Sequence, residues 1–171
     1  MKTNKKKLLC VGAGYSARVI ACELLSNNKH NKWSVYGSYR KQKQAEVLSN
    51  IDITPIKYDN LADNLLSADA ILSSIPPDKE GDPFLNQYGA TLFKINKKPW
   101  IGYFSTTGVY GDTKGSLVDE TAPLNPTTER GKRRVAAENI WLKHNAHIFR
   151  LPGIYGHGRS SLDRVRDGLT R

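Results

Sequence analysis

Short apolar runs alternate with amphipathic stretches along the whole chain of 171 residues. The apolar runs predict strands, and the stretches between them predict helices with one apolar side. This alternation predicts right-handed crossovers and a parallel sheet that helices cover on both faces, which is a doubly wound α/β fold of three layers, α/β/α. The predicted strands are residues 7–11, 33–39, 51–58, 70–75, 100–105 and 146–151, and the predicted helices are residues 15–27, 42–48, 61–67, 84–95, 129–145 and 162–169.

Two local features qualify this pattern. Pro55 cannot donate a backbone hydrogen bond, so it indicates an irregular or edge position for the third strand. Residues 108–128 have no periodicity and are rich in Gly, Asp, Thr and Pro. A loop of that length in a compact domain is usually functional or mobile.

The first strand runs directly into a glycine turn, Gly12-Ala13-Gly14, and the chain leaves this turn as a helix. The pattern is G-x-G-x-x-A. Gly12 permits a tight turn, Gly14 lets the backbone approach a pyrophosphate, and Ala17 lets the helix pack closely on the strand. Tyr15 and Ser16 open the helix, whose free N–H groups and dipole attract phosphate. The pattern predicts a Rossmann fold with a dinucleotide site here, and the alternative is a structural turn that binds nothing.

Cations follow the second strand, where an Asp or Glu normally meets a free ribose 2′-hydroxyl. This chain has Arg40 and Lys41 there. Two cations favour a 2′-phosphate, so we expect NADP in preference to NAD, with NAD as the second choice. The alternative is the solvated, basic start of the next helix.

The ends of the third and fourth strands supply further candidates for cofactor contacts. Asp59 is suited to accept a hydrogen bond from an adenine amino group, although it also suits the cap of the following helix. Ser74, Ile75 and Pro76 would run past the ribose of the cofactor.

Two later segments carry a resemblance to a known family. Residues 105–111 read Ser-Thr-Thr-Gly-Val-Tyr-Gly, and residues 150–160 read Arg-Leu-Pro-Gly-Ile-Tyr-Gly-His-Gly-Arg-Ser. They resemble the serine/threonine segment and the strand-six loop of the extended short-chain dehydrogenase/reductase superfamily. Together with the glycine turn, they are most similar to its atypical, epimerase/dehydratase-like branch, over essentially the whole chain. The resemblance implies cofactor contacts at Pro152, Gly153 and Ile154.

One helix departs from the family pattern. The superfamily uses a Tyr-x-x-x-Lys pair there, and the spacing to Glu138 places Arg134 at the Lys position and Arg130 at the Tyr position. Arg134 could hold a ribose hydroxyl or a phosphate, whereas Arg130 cannot act as an acid or base because guanidinium stays protonated. Thr106 matches the hydroxyl residue that holds the substrate oxygen. Lys132 is a candidate under a shifted register, and the structural alternative is a solvated basic face.

The resemblance implies hydride transfer at a carbon that bears oxygen, on a sugar nucleotide or another phosphorylated metabolite. Family members continue beyond this length and close a substrate domain there. We therefore expect one NAD(P)-binding domain over residues 1–171, with most of the substrate domain absent. Arg130 motivates an alternative function, a regulatory or redox-sensing protein that binds a dinucleotide without catalysis. A homodimer through the helix at residues 129–145 is a further implication of the resemblance.

Charge and composition exclude other classes. The net charge is +10, but the basic residues are spread out and no predicted helix carries a base-reading pattern, so we expect no nucleic-acid partner. No apolar run approaches the roughly 20 residues of a membrane span, so we expect a cytoplasmic protein without a membrane partner. We expect both cysteines to be small buried residues. No spacing suited to a metal occurs among Cys10, Cys22, His30, His144, His147 and His157.

Overall fold

The structure is a computed structural model that describes residues 5–27 and 32–169. Residues 1–4 and His30 lie outside these residues. All paired strands are parallel, and they form one six-stranded sheet with the order β3-β2-β1-β4-β5-β6. The doubly wound α/β fold is therefore confirmed. The strands are β1 (Lys6–Val11), β2 (Trp33–Tyr39), β3 (Thr54–Lys57), β4 (Ala70–Ser73), β5 (Trp100–Thr106) and β6 (His147–Leu151).

Helices connect each strand to the next. Short 3₁₀ helices lie at Tyr58–Asn60 and Thr107–Val109. The α-helices are α1 (Tyr15–Ser26), α2 (Gln42–Ser49), α3 (Ala62–Leu66), α4 (Pro83–Phe93), α5 (Glu129–Lys143) and α6 (Ser161–Arg166). None of the helices in residues 5–27 and 32–169 is long and apolar enough to span a membrane.

The third strand is shorter than the sequence predicts. The N–H groups of Ile51 and Ile53 both donate to the carbonyl of Leu48, at 3.1 and 3.0 Å, and so complete the end of α2. Asp52, between them, has a φ of 58°. Residues 51–53 are therefore part of a turn, and β3 begins at Thr54. This strand is at the edge of the sheet, as Pro55 predicts.

Strict alternation of side chains along the strands creates two apolar layers. On one face, Leu9, Ile71 and Tyr103 pack under α3, α4 and α5. On the other face, Leu8 and Cys10 pack under α1 and α2. Burial raises the pKa of the Cys10 thiol to about 12, whereas Cys22 on α1 is only partly buried. Helices thus flank both faces of the sheet, which confirms the three-layer arrangement.

The second of these helical layers is incomplete in the described part of the chain. An apolar groove of about 1010 Å³ lies over β4, β5 and β6 beside α1. Leu72, Phe104 and Phe149 form its floor, and Val19 and Ile20 of α1 form one wall. Val19 and Ile20 are about half exposed, so the side of α1 away from β2 is apolar without being covered.

Asp82 connects α4 to α5 inside the other layer. Its Oδ1 accepts hydrogen bonds from the N–H groups of Phe84 and Leu85 at 2.9 and 3.1 Å, so it caps α4. Its Oδ2 accepts a hydrogen bond from Trp141 Nε1 at 2.8 Å. The Trp141 ring stacks on Phe84 and on Tyr103, with centroids 5.6 and 5.3 Å apart. Burial raises the pKa of the Asp82 carboxyl, and its hydrogen bonds offset part of the cost of desolvation.

Replacing Asp82 by Ala should lower the free energy of unfolding by about 3 kcal/mol, because the first N–H groups of α4 and the buried indole N–H of Trp141 lose their acceptor. Asp82→Asn should lose less, because the amide oxygen still accepts. Asp78→Ala is the control, since Asp78 is exposed and accepts one local hydrogen bond from the N–H of Glu80. Urea denaturation measures all three variants, and an equal loss for Asp78→Ala and Asp82→Ala would contradict this assignment.

Candidate functional site

Side chains at the ends of the two neighbouring strands, β2 and β4, hold the glycine turn in place. Gly12 has a φ of +76°, and a Cβ there would lie 2.6 Å from Ile75 Cγ1. Its N–H donates to Ser38 Oγ at 2.7 Å, and its carbonyl accepts from the Ser74 hydroxyl. Only glycine fits this backbone position, so the turn has the tight geometry that the sequence predicts.

The N-terminus of α1 presents unpaired donors beyond this turn. The first helical hydrogen bond runs from Arg18 N to the Gly14 carbonyl at 3.0 Å. The N–H groups of Tyr15, Ser16 and Ala17 have no acceptor among residues 5–27 and 32–169. Ala17 is fully buried against the sheet, so the helix start lies close to the strand. These donors and the positive end of the helix dipole form a site for an anion.

A cavity of about 380 Å³ extends from this turn to the end of β2. Arg40, Lys41 and Tyr58 line it, and no carboxylate is among its lining residues. Gln44 Oε1 accepts from the N–H groups of Arg40 and Lys41 at 3.1 and 3.0 Å and fixes the turn into α2. The Arg40 guanidinium lies over the Tyr58 ring, 4.5 Å from its centroid. The cavity therefore offers two cations beside an aromatic ring.

The other residues that the sequence predicts for this part of the cofactor site divide into those that line the cavity and one that does not. Ser74, Ile75 and Pro76 line the same cavity, at the positions that the sequence predicts. Asp59 does not line it. This carboxylate is exposed, and its nearest cation is Lys57 at 4.0 Å. Asp59 also caps neither the 3₁₀ helix nor α3, whose N-caps are Lys57 and Leu61.

A second cavity, of about 240 Å³, continues from Gly14 and Ser74 to the ends of β5 and β6. It brings together Thr106, Arg130 and Arg134, the three candidates that the family spacing selects. Pro152, Ile154 and Arg159 form its opposite wall. A third cavity, of about 480 Å³, adjoins it at the N-terminus of α5, and Gly153 and Thr128 are among its lining residues.

Arg134 is buried, with 7% of its surface exposed. Its Nη1 donates to Tyr103 Oη at 2.9 Å and to the Phe104 carbonyl at 2.7 Å. Its Nε is buried without a hydrogen-bond partner, and no described carboxylate forms an ion pair with it. The hypothesis of a solvated basic face is therefore wrong for Arg134, and also for Glu138, which is 1% exposed.

The candidates that the family resemblance selects include no phenol that could carry a proton. Arg130 is exposed and permanently charged. Lys132 points to Glu129, 2.8 Å away, and lines neither cavity at this end. Burial raises the pKa of Tyr103 to about 12 despite the nearby Arg134, so this phenol stays protonated at neutral pH. Thr106 Oγ1 accepts from the Gly108 N–H at 3.2 Å. These residues are equipped to bind and orient a molecule.

A buried ion pair holds this end of the site together. Arg150 Nη2 lies 3.0 Å from Glu138 Oε2, and Ser105 donates to Oε1 of the same carboxylate. The hydrogen bond to Glu138 raises the pKa of Arg150. Arg150 Nη1 also donates to Tyr110 Oη and to the Glu120 carbonyl, both at 3.0 Å. These contacts attach the loop that precedes α5 to β6. This loop is the segment for which the sequence predicts a functional or mobile role.

Arg159 is the main residue at this site that sequence reasoning misses. Its guanidinium lies over the Tyr15 ring, 5.5 Å from the centroid, and Tyr15 Oη donates to the His157 carbonyl at 3.2 Å. Arg159 belongs to the segment that resembles the strand-six loop, and this resemblance is the sequence signal that could have placed it near the site. No local sequence pattern indicates that this loop folds back onto α1.

Comparisons with known proteins agree with this architecture. Protein YeeZ of Escherichia coli K12 is 33% identical over 174 residues, which covers 90% of this chain and 61% of that protein. A functionally unknown conserved protein from Silicibacter pomeroyi superposes with a TM-score of 0.85 at 37% identity, covering 94% of this chain and 57% of that one. UDP-glucuronic acid 4-epimerase from Bacillus cereus, in complex with NAD, superposes with a TM-score of 0.67 at 19% identity, covering 88% and 57%.

The chain has the Rossmann fold of that epimerase. It spans about three fifths of the length of the relatives it matches. No model of a known protein family matches it.

Glu138→Gln should lower the free energy of unfolding by about 3 kcal/mol, because it leaves Arg150 partly buried without its counter-ion. It should also speed tryptic cleavage at Lys114, in the loop that Arg150 holds. Glu129→Gln is the matched control, since its pair with Lys132 is exposed and should contribute less than about 1 kcal/mol. Urea denaturation and limited proteolysis measure both effects, and equal losses in the two variants would refute the role of the buried pair.

Proposed function

We propose that this chain is the NADP-binding part of an oxidoreductase or epimerase-like protein of the short-chain dehydrogenase/reductase type. One observation carries the proposal. The cavity that contains Arg40 and the cavity that contains Thr106 and Arg134 share Gly14 and Ser74 as lining residues, so the two cavities adjoin at the start of α1, and we call the pair the trough. A dinucleotide needs an elongated trough with an anion site near its middle.

The residues of the trough fit such a cofactor. The N–H groups of Tyr15, Ser16 and Ala17 would hold the pyrophosphate, and Arg40 and Lys41 would hold the 2′-phosphate of NADP. At the other end, Arg134 would hold a ribose hydroxyl or a phosphate, beside Pro152, Gly153 and Ile154. The bound nicotinamide would supply or accept a hydride, and Thr106 would orient the substrate oxygen. We propose a sugar nucleotide or another phosphorylated metabolite as substrate.

A second candidate function is a regulatory or redox-sensing protein that binds the dinucleotide without turnover. It is supported by Arg130 at the position of the family tyrosine, where no proton can be exchanged at neutral pH. Assays of NADPH oxidation with sugar nucleotides and carbonyl compounds separate the two functions. Turnover that is lost in Thr106→Val favours the enzyme, whereas binding without turnover favours the regulator.

Gly14→Val should weaken NADPH binding by at least roughly tenfold, about 1.4 kcal/mol. The nearest atom to a Cβ at Gly14 is the Gly12 carbonyl oxygen at 3.8 Å, so the backbone leaves room for a Cβ. The side chain would nevertheless occupy the approach to the N–H groups of α1. Ser26→Ala, at the far end of α1, is the control. Titration followed by NADPH fluorescence measures both variants, and unchanged affinity in Gly14→Val would refute the proposed cofactor site.

Arg40→Ala should weaken the binding of NADPH roughly tenfold and leave the binding of NADH unchanged, because a charge-assisted hydrogen bond to the 2′-phosphate is lost. Lys43→Ala removes the same charge from α2 at a position that does not line the cavity. Parallel titrations with both nucleotides give the ratio of affinities. An equal loss for NADH and NADPH would show that Arg40 does not select the 2′-phosphate.

A further inference from the structure

We infer that the cavity at the N-terminus of α5 binds an oxyanion of the substrate, a carboxylate or a phosphate, through Arg130 and Arg159. The inference rests on the proposed function for the statement that this anion belongs to a substrate. The dinucleotide does not account for this part of the site. The cavity therefore indicates a class of substrate.

The lining of the cavity is cationic and hydroxyl-bearing. Arg130 and Arg159 line it together with Thr106, Thr107 and Thr128, and no carboxylate does. Both arginines are exposed, and neither guanidinium donates a hydrogen bond to a residue in the described part of the chain. Two guanidinium groups that donate no hydrogen bond to the described residues, beside three hydroxyl groups, match the donor set that binds carboxylates and phosphates.

The helix itself adds positive potential. α5 has 15 residues, and Thr128 Oγ1 caps it by accepting from the Gly131 N–H at 3.1 Å. The N–H groups of Glu129 and Arg130 have no acceptor within residues 5–27 and 32–169. A Cβ at Gly131 would lie 2.9 Å from the Gly108 carbonyl oxygen, so glycine lets the loop after β5 lie directly against this first turn. The dipole of the helix therefore points its positive end at the cavity.

Arg134 supplies an independent observation. It lines the adjoining cavity, which shares Arg130 and Arg159 with this one. Its guanidinium is buried without an ion pair, and its Nε has no hydrogen-bond partner. A buried cation is costly unless an opposite charge compensates it. An anion in the joined cavities would provide that charge.

No described neighbouring carboxylate forms an ion pair with these arginines. Glu129 pairs with Lys132 on the outside of α5, and Glu138 pairs with Arg150 one turn beyond Arg134. Asp82 attracts Arg134 through space, but its oxygens are occupied by the N–H groups of α4 and by Trp141. The described carboxylates therefore leave the three arginines of the joined cavities without an ion pair.

The cavity at α5 is next to the proposed phosphate site of the cofactor at α1, and it does not include the glycine turn. Neither Gly12 nor Gly14 lines the cavity at α5, whereas Thr106 does. The anion would therefore lie next to the hydroxyl group that we propose to orient the substrate oxygen. The substrate class is a metabolite with a carboxylate or phosphate close to the carbon that bears the reacting oxygen.

The test uses inorganic phosphate and malonate as probes, titrated into the cofactor-free chain by calorimetry. We expect at least one probe to bind with a Kd on the order of 1 mM. The double variant Arg130→Gln/Arg159→Gln should lose this binding at least tenfold. Arg133→Gln, on α5 but outside the cavities, should retain it, and so should Arg40→Ala, which alters only the β2 end of the cofactor site. Tighter binding of phosphate indicates a phosphate ester, and tighter binding of malonate indicates a carboxylate.

Absence of binding for both probes, or unchanged binding in the double variant, would overturn the inference. Loss in Arg40→Ala alone would also overturn it, because the anion would then occupy the β2 end of the cofactor site. NADPH titration of the same samples tests the proposed function separately. A chain that binds phosphate through Arg130 and Arg159 but fails to bind NADPH would refute the cofactor and retain the anion site.

Discussion

The candidate site depends on the fixed position of α5 against β5 and β6. Glu138 is buried on this helix and bonded to Arg150 of β6 and Ser105 of β5, and Arg134 is bonded to the carbonyl of Phe104. Sliding or rotating α5 would separate charges that are costly to bury alone. Arg130 and Thr106 therefore face one cavity because polar contacts deeper in the molecule hold their elements in register.

The two ends of the trough have the same electrostatic character for different reasons. At the β2 end, Arg40 and Lys41 are cations near the surface, and solvent and salt weaken their field. At the β5 end, Arg134 is buried, and its field is less screened. The net charge of +10 thus says little about function by itself. What distinguishes the site is that cations line it where no carboxylate does.

The sequence predicts the architecture well because its signals are local: apolar strands, amphipathic helices and the turn at Gly12. It also places Thr106 and Arg134 together, because strand ends converge at one edge of a parallel sheet. It does not predict the burial of Arg134 and Glu138, since charges at four-residue spacing usually mark a solvated face. Arg159 is missed for a different reason, because its place over Tyr15 depends on a tertiary contact. Asp59 was expected in the cavity, yet its carboxylate lies outside it.

Two guanidinium groups, those of Arg130 and Arg134, determine what this end of the site can do. A phenol and an amine can move a proton, whereas two guanidinium groups cannot, but they bind oxyanions more strongly and in fixed directions. The unpaired charge of Arg134 is a cost to the folded protein. An anionic ligand that offsets this cost binds the folded state alone, so it stabilises the fold in proportion to the logarithm of its concentration above Kd. Binding at this end of the trough and stability of the α5 contact are therefore thermodynamically linked, whether or not a reaction follows.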